Sequence, residues 1–321
     1  MLDDITPRTA EAAPTITREA LDGLRATPKT LPAKLFYDAE GCRLFNEITG
    51  LREYYVTRTE LALLEGIGPE LARAVSAGAT VVEYGAGSAT KALLLLKALR
   101  APAAYVPIDV AGEAVRETAM TVAAALPGLQ VRPIAADFLG PIPRLAEERA
   151  GPRLGFFPGS TIGNLEPAAA VRFLRGARAA LGAGAQFLVG ADMRKDPAIL
   201  VPAYDDSRGV TAAFNRNLLV RLNREAGANF DLAAFRHRAL WNAREGRIEM
   251  HLVSTRPQTV RLGGETIAFA EGESIHTENS YKHTVDGFRA LAREAGWQPM
   301  QLWTDPDALF SVHLMRTESE G

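Results

Sequence analysis

Two aspartates and a glycine turn carry the first chemical signal in this sequence. Val82-Glu83-Tyr84-Gly85-Ala86-Gly87-Ser88 closes a short apolar run, Asp109 closes a second, and Asp137-Phe138 closes a third. Glycines at such a turn let the backbone approach a ligand that a Cβ would hold off. A carboxylate ending the next strand can accept both hydroxyls of a ribose. One ending the third can accept an exocyclic amine while the neighbouring phenyl ring covers the base. Each residue also has an ordinary reading: a tight turn, a helix cap, a core phenylalanine. Their conjunction at three successive strand ends favours a nucleoside-bearing ligand. A dinucleotide is disfavoured, because the third glycine of Gly-x-Gly-x-x-Gly falls on Thr90. Glu83, just before the turn, suits a site that receives a cation.

These positions follow from the rhythm of the chain. Residues 1–16 read as a loose tail. Helical spacing runs from Arg18 to Arg25, residues 31–55 are dense in aromatic and polar side chains, and Leu61 to Val75 predicts one amphipathic helix. Short apolar strands at 80–84, 105–108, 131–134, 154–157 and 186–190 then alternate with helices at 91–99, 114–125 and 168–181. That alternation predicts a parallel sheet with helical crossovers, and such sheets bind ligands beyond the carboxyl ends of their strands. The rhythm breaks between 195 and 285, where a helix at 210–225 precedes strands at 247–254, 259–262 and 266–269. It returns with a helix at 285–295 and strands at 298–304 and 309–315. The simplest account is an α/β, Rossmann-type core interrupted by an inserted module.

The 321 residues, 47% hydrophobic and 23% charged, suffice for one large domain or two unequal ones. A net charge of -2 leaves no basic excess for a nucleic-acid backbone. The single cysteine, Cys42, excludes an intramolecular disulfide and fits a reducing cytoplasm. The N-terminal residues lack the apolar core of a signal peptide, and the apolar run 92–96 is far too short to cross a bilayer. A cytoplasmic monomer with no nucleic-acid or membrane partner is expected. His237, His251, His276, His283 and His313 include no pair at ligand spacing on a helix with a third ligand nearby, so no metal is expected.

Longer motifs add a resemblance. They are the segment from Leu31 to Thr49, Glu53-Tyr-Tyr-Val-Thr-Arg-Thr-Glu60, Gly159-Ser-Thr-Ile-Gly-Asn-Leu165 and Ala203-Tyr-Asp-Asp206. Gly209-Val-Thr-Ala-Ala-Phe-Asn-Arg-Asn217, Arg247-Ile-Glu-Met250 and Thr277-Glu-Asn-Ser-Tyr-Lys282 complete the set. In this order and spacing, over about residues 28–315, they resemble the L-histidine Nα-methyltransferases of ergothioneine biosynthesis. The resemblance implies a class I methyltransferase core, residues 61–195 and 286–321, and an α+β substrate-binding domain, residues 1–60 and 196–285. It implies S-adenosylmethionine as methyl donor and three methyl transfers to the α-amine of L-histidine, giving hercynine. Carried over by motif, Gly85, Lys91, Asp109, Asp137 and Phe138 contact S-adenosylmethionine, and Tyr37, Tyr54, Asn164, Tyr204, Met250, Glu278 and Ser280 line the histidine site. The chain departs from the family at Tyr84 (usually Leu), Val56 (usually Pro), Pro158 (usually Leu), His251 (often Trp) and Asn279 (usually small and apolar).

The residue types suit the implied substrate. Glu278 can accept one imidazole N–H and Ser280 can bond the other ring nitrogen; a site built on such bonds rejects ligands that leave them unpaired. Tyr54, Tyr204 and Asn164 can donate to the carboxylate or orient the amine, and Met250 forms a wall. Tyr37 can relay the amine proton to water, and ring faces attract a quaternary ammonium product. Two rivals stand beside this reading: a methyltransferase of the same fold acting on another amino acid or amine, and a nucleotide-binding oxidoreductase or non-catalytic Rossmann module.

Overall fold

Val81, Val82 and Tyr84 leave residues 80–84 without a polar face, and only a sheet covered on both sides can bury such a run. The computed structural model describes residues 12–140 and 151–317. In chain order its elements are α1 (Ala12–Leu24), β1 (Lys29–Thr30), α2 (Ala39–Thr49), α3 (Tyr55–Gly66), α4 (Gly68–Ala74), β2 (Thr80–Tyr84), α5 (Ala89–Ala98), β3 (Ala104–Asp109) and α6 (Gly112–Ala125). They continue with β4 (Gln130–Val131), β5 (Ile134–Ala135), β6 (Arg153–Phe157), α7 (Pro167–Leu181), β7 (Gln186–Asp192), α8 (Pro197–Leu200) and α9 (Val210–Glu225). The rest are β8 (Phe235–Asn242), β9 (Arg247–Ser254), β10 (Gln258–Leu262), β11 (Glu265–Phe269), β12 (Ser274–Tyr281), α10 (Val285–Glu294), β13 (Gln298–Thr304) and β14 (Phe310–Arg316).

The larger of two compact units comprises Tyr54–Ile199, Asn242–Arg247 and Asn279–Gly321. Its sheet runs β13-β14-β7-β6-β2-β3-β4, with β5 also paired to β3. The chain winds outward from β2 through β3, then returns to the other side of β2 with β6 and β7. The strand order therefore reverses between β2 and β6, and ligands of such sheets bind outside the carboxyl ends there. Those ends are Tyr84-Gly85 and Phe157-Pro158. β14 closes the sheet antiparallel to β7. Helix α7 buries Ala170, Val171, Phe173, Leu174, Ala177 and Leu181, one stripe of a 3.6-residue period. The stripe packs in a core that includes Tyr84, Phe157, Phe187 and Trp297.

The smaller unit comprises Met1–Glu53, Leu200–Trp241 and Ile248–Glu278. It holds a sheet of order β1-β12-β9-β8 and the β10-β11 hairpin, whose Gly263-Gly264 turn has both φ angles positive, as a tight hairpin demands. Helix α9 lies against α2 and the turn before it, where Phe214 stacks on Phe36 with ring centroids 4.4 Å apart. Asp38 caps α2 through the Gly41 N–H and also accepts from Asn217 and Arg224 of α9.

Several expectations change. Residues 1–11 of the expected tail lie outside the described residues, while residues 12–16 belong to α1. The single helix expected from Leu61 to Val75 is two, because Gly68-Pro69 starts a new one and Pro69 cannot continue the hydrogen-bond ladder. The third strand splits into β4 and β5 around Pro133, both pairing with β3. Strands β8 and β12 lack the simple alternation that reveals a strand.

The division between units also falls elsewhere than at 60/61, 195/196 and 285/286. Residues 54–60, 196–199, 242–247 and 279–285 go with the larger unit. Backbone bonds fix this: the Lys282 N–H donates to Gly246, the His283 N–H to Asp192, and the Arg194 N–H to His283.

Tyr84 is fully buried, edge-on to Phe157, Phe173 and Phe187, and among the described residues its hydroxyl has no partner. An unpaired buried hydroxyl costs free energy that Phe would not. Tyr84→Phe is therefore expected to stabilise the fold by about 1 kcal/mol, read from the denaturation midpoint; a less stable variant would mean the hydroxyl is satisfied.

Candidate active site

At the end of β2 the chain turns on Gly85, whose φ of 78° is open to glycine and strained for other residues. The Gly85 and Ala86 N–H groups donate to the Ile108 carbonyl, which brings the turn beside the end of β3. At Gly87, apart from its own chain neighbours, no atom of the described residues lies within 4 Å of the position a Cβ would take. Asp109 ends β3 half-buried. One of its carboxylate oxygens accepts the Ala111 N–H at 2.8 Å, which closes a turn two residues ahead of the α6 N-cap, Ala111, in place of the expected helix cap. Burial pushes its pKa up, opposed by backbone N–H bonds. Asp137 makes the same kind of turn, accepting the Leu139 N–H at 2.9 Å. The Ala136 N–H donates to the Asp109 carbonyl, so these two strand ends are adjacent. Phe138 packs edge-on against Phe157 and Phe173, and its ring edge lies 3.8 Å from the position of a Gly85 Cβ.

Glu83 does something else. Its carboxyl is buried and accepts from the Tyr105 hydroxyl on β3. Burial pushes its pKa up to about 8. The Tyr105 hydrogen bond, from the neighbouring strand, and the Lys91 ammonium partly oppose the effect of burial.

A second cluster forms where β6 ends. Glu60 of α3 is buried; both of its oxygens accept the Gly159 N–H, and Lys91 of α5 pairs with it at 2.5 Å. Gly190 makes room for that carboxylate, since a Cβ there would lie 2.2 Å from it. Lys91 thus sits between the glycine turn and the Gly159 loop, where the carboxylate end of a methionine moiety would complement it. Gly159 and Ser160 both take positive φ, a conformation that costs serine about 1 kcal/mol. Ser160 is held there because its hydroxyl accepts the Asp192 N–H at 2.9 Å.

Asp192, at the end of β7, is the centre of a third cluster. It is wholly buried and accepts from the Tyr55 hydroxyl, Lys195 and Lys282. Burial alone would raise its pKa, but attraction by Lys282 and Lys195 outweighs burial and holds it below the usual range. Lys282 also donates to the Ser280 hydroxyl at 2.8 Å. Asn164 ends the short helical turn Thr161–Asn164, and its neighbour Gly163 lies so close to Tyr281 that a Cβ would come within 2.7 Å of the Tyr281 carbonyl. Tyr54 immediately precedes α3 and Tyr55. The larger unit therefore links Ser280 to Asp192 through Lys282, holds Tyr54 beside Tyr55 and Asn164 in the turn that follows Ser160 in the chain, and brings Gly85, Asp109, Asp137 and Phe138 to neighbouring strand ends.

Tyr37, Tyr204, Met250 and Glu278 belong to the smaller unit. Tyr37 is edge-on to Phe45 and Phe214. The other three hang on Asn215, a fully buried amide on α9. Its nitrogen donates to His237 Nδ1 and to the His251 carbonyl, and its oxygen accepts from Thr277. Because His237 accepts at Nδ1, its Nε2 carries the proton and donates to the Tyr204 carbonyl at 2.9 Å. Thr277, next to Glu278, donates also to the Met250 carbonyl. Glu60, Lys282 and Asn215 lie within the quoted motifs but were not singled out from the sequence, and His237 was weighed there only as a metal ligand.

Residues 16–317 match the family described as histidine-specific, SAM-dependent methyltransferases. This chain belongs to that family. It is 43% identical to the histidine N-alpha-methyltransferase of Mycolicibacterium smegmatis over 94% of this chain and 95% of that one. It is 41% identical to the histidine N-alpha-methyltransferase of Mycobacterium tuberculosis over 93% and 94%. Among solved structures, an S-adenosylmethionine-dependent methyltransferase from Clostridium acetobutylicum shares the fold at a TM-score of 0.50 and 9% identity, covering 86% of this chain and 99% of that one.

The departures from the methyltransferase family now have places. Asn279 donates to Glu166, which also bonds Arg247 and Tyr281; strand alternation puts this group on the side opposite Ser280 and Lys282. Val56 is buried in the first turn of α3, Pro158 follows β6, and Tyr84 is core. His251 alternates with Met250 on β9. It lies 3.1 Å from Glu249 and stacks on His276, with ring centroids 4.7 Å apart and planes 19° from parallel.

Glu249, His251 and His276 each bring a donor atom within 4.8 Å of the others, a grouping that helix spacing could not reveal because it spans neighbouring strands. Near-parallel stacked rings hold their in-plane lone pairs in two separate planes rather than aiming them at one point, and His276 Nε2 is already engaged by the Glu278 carbonyl. The trio is a hydrogen-bonded stack.

Two measurements test the site. Asp109→Ala is expected to weaken S-adenosylhomocysteine binding about tenfold to a hundredfold by calorimetry, the value of a hydrogen-bonded charge; unchanged affinity would remove Asp109 from the site. The folded protein holds the Glu83 proton more tightly than the unfolded chain does, so this contribution to stability is full below the ordinary carboxyl range and is lost as pH rises through about 8. Glu83→Gln cannot ionise. Its melting temperature should gain progressively on the parent between about pH 5 and pH 9, and a constant difference would refute the shift.

Proposed function

We propose that this enzyme transfers three methyl groups from S-adenosylmethionine to the α-amine of L-histidine, giving hercynine for ergothioneine biosynthesis. The observation that carries the proposal is the family match over residues 16–317, together with more than 40% identity along nearly the whole chain to two histidine N-alpha-methyltransferases. The polar pair Glu278 and Ser280, two apart on one strand, supports histidine over an apolar amino acid.

S-adenosylmethionine supplies an electrophilic methyl group on a sulfonium. The glycine turn, Lys91, Asp109, Asp137 and Phe138 are the residues to hold it, and their chemistry fits: donors and a cation for a carboxylate, an acceptor for ribose hydroxyls, an acceptor and a ring for adenine. Tyr54, Tyr204 and Asn164 orient the amino acid, Met250 packs against it, and Glu278 and Ser280 hold its ring. Positioning is the main catalytic requirement, because a well-oriented amine needs only to lose its proton and lie in line with the methyl group. Tyr37 relays that proton to water. No step needs a metal. The single thiol fits a reducing cytoplasm and the near-neutral charge fits a free amino acid as substrate without nucleic acid; among the described residues no helix is long and apolar enough to cross a membrane.

Mass spectrometry of the protein incubated with S-adenosylmethionine and each common amino acid separately tests this. Gains of one, two and three methyl groups on histidine alone are expected. Methylation of another amino acid would keep the reaction and replace the substrate. Tyr37→Phe should slow turnover at least severalfold while leaving S-adenosylhomocysteine affinity intact; unchanged turnover removes the relay.

A further inference from the structure

A carbonyl oxygen accepts hydrogen bonds and cannot donate them, so carbonyls at both ends of a chain of polar groups fix which atom gives each bond between. In the smaller unit such a chain runs from His251 to Tyr204. Asn215 meets the His251 carbonyl at 3.1 Å, so the amide atom there is its nitrogen. The same nitrogen is 2.8 Å from His237 Nδ1, which therefore accepts. Across the ring, His237 Nε2 is 2.9 Å from the Tyr204 carbonyl and must donate. Each imidazole nitrogen has one in-plane position, filled by a proton or by a lone pair. His237 is thus held as the neutral ring with its proton on Nε2. The Asn215 oxygen, accepting from Thr277, completes the anchoring of the amide.

The stretch that carries Tyr204 is tied down on both sides. The Tyr204 N–H closes a turn on the Val201 carbonyl. Two residues on, Asp206 accepts the Val210 and Thr211 N–H groups at the start of α9. The bond from His237 joins the Tyr204 backbone to strand β8.

We propose that His237, aligned by Asn215, is a positioning residue for amino-acid binding, holding the Tyr204 backbone where the Tyr204 side chain meets the substrate. This rests on the reading that Tyr204 orients the amino acid. A second proton on His237 would set N–H against the Asn215 N–H and break the relay. Burial holds the ring below the ordinary imidazole range; Asp205, 3.9 Å from Nε2, and Asp206 act the other way, and Arg216 acts with burial.

Steady-state kinetics of the enzyme test this, with S-adenosylhomocysteine affinity by calorimetry as the control, since the residues proposed to hold that ligand belong to the larger unit. A glutamine amide reaches the position of Nε2 and can donate to Tyr204, whereas an asparagine amide ends where Nδ1 stood. His237→Asn is expected to raise the KM for L-histidine about threefold to tenfold, the value of one hydrogen bond, at unchanged S-adenosylhomocysteine affinity. His237→Gln should stay near the parent. Equal losses in the two variants, or a parallel loss of S-adenosylhomocysteine affinity, would mean a merely structural role and overturn the proposal. Asn215→Asp gives an independent reading through pH. Its carboxylate favours a protonated His237, which donates at both ends and keeps the Tyr204 bond; once that proton leaves, one end goes without. The titration of free histidine cancels in the ratio of variant KM to parent KM. That ratio should rise about threefold to tenfold between about pH 6 and pH 9, and a constant ratio overturns the relay. Tyr204→Phe separates the two levels. An unchanged KM for L-histidine sinks the reading of Tyr204 and the proposal with it, whereas a raised KM beside a parent-like His237→Asn sinks the proposal alone.

Discussion

A carboxylate removed from water must be neutralised where it lies, and Asp192 imposes that demand on the larger unit. Its position at the end of β7, with no exposed surface, requires Lys195, Lys282 and the Tyr55 hydroxyl to meet it. Each partner comes from a different stretch of chain: the start of α3, the residues after β7 and the residues after β12. Its backbone N–H, through Ser160, pins the loop that follows β6 in a left-handed conformation. One buried charge thus ties together Tyr55 at the start of α3, Ser160 in the loop after β6 and, through Lys282, Ser280. A buried ion pair is weak evidence of added stability; its contribution here is geometric.

The smaller unit solves the same problem with a neutral group. Asn215 offers donors and an acceptor from the interior of α9, and the sheet answers with His237, the His251 carbonyl and Thr277. Every bond leads one step on to a residue proposed for histidine, namely Tyr204, Met250 or Glu278. This explains why α9 carries asparagines on its buried side, where an ordinary amphipathic helix would carry leucine, and why β12 reads as polar on both faces. Buried polar groups are affordable only when satisfied, and these networks satisfy them.

Methyl transfer from a sulfonium to an amine asks an enzyme for orientation and for an amine without its proton. The clusters found here suit that demand, being hydrogen-bonded supports that hold side chains in place. Glu83, the buried carboxyl with a markedly raised pKa, faces Tyr105 within the sheet and serves the strand pairing of β2 and β3. A strongly shifted group near a site is a functional candidate in general; here its partner and burial give it a structural role.

The sequence by itself determined what depends on near neighbours. The apolar runs of β2, β3, β6 and β7, the glycine turn, the strand-end aspartates and the limits of α9, β9 and β13 all follow from periodicity and turn chemistry within a few residues. The glycine breaks and Pro133 and Pro69 mark where that periodicity failed. Tertiary structure alone decided the pairs Glu60–Lys91 and Asp192–Lys282, the Asn215 hub, the His251–His276 stack and the division between units. The reason is physical: a buried polar residue is defined by the partner that satisfies it, and that partner can lie ninety residues away, whereas an apolar side chain needs only a face to hide.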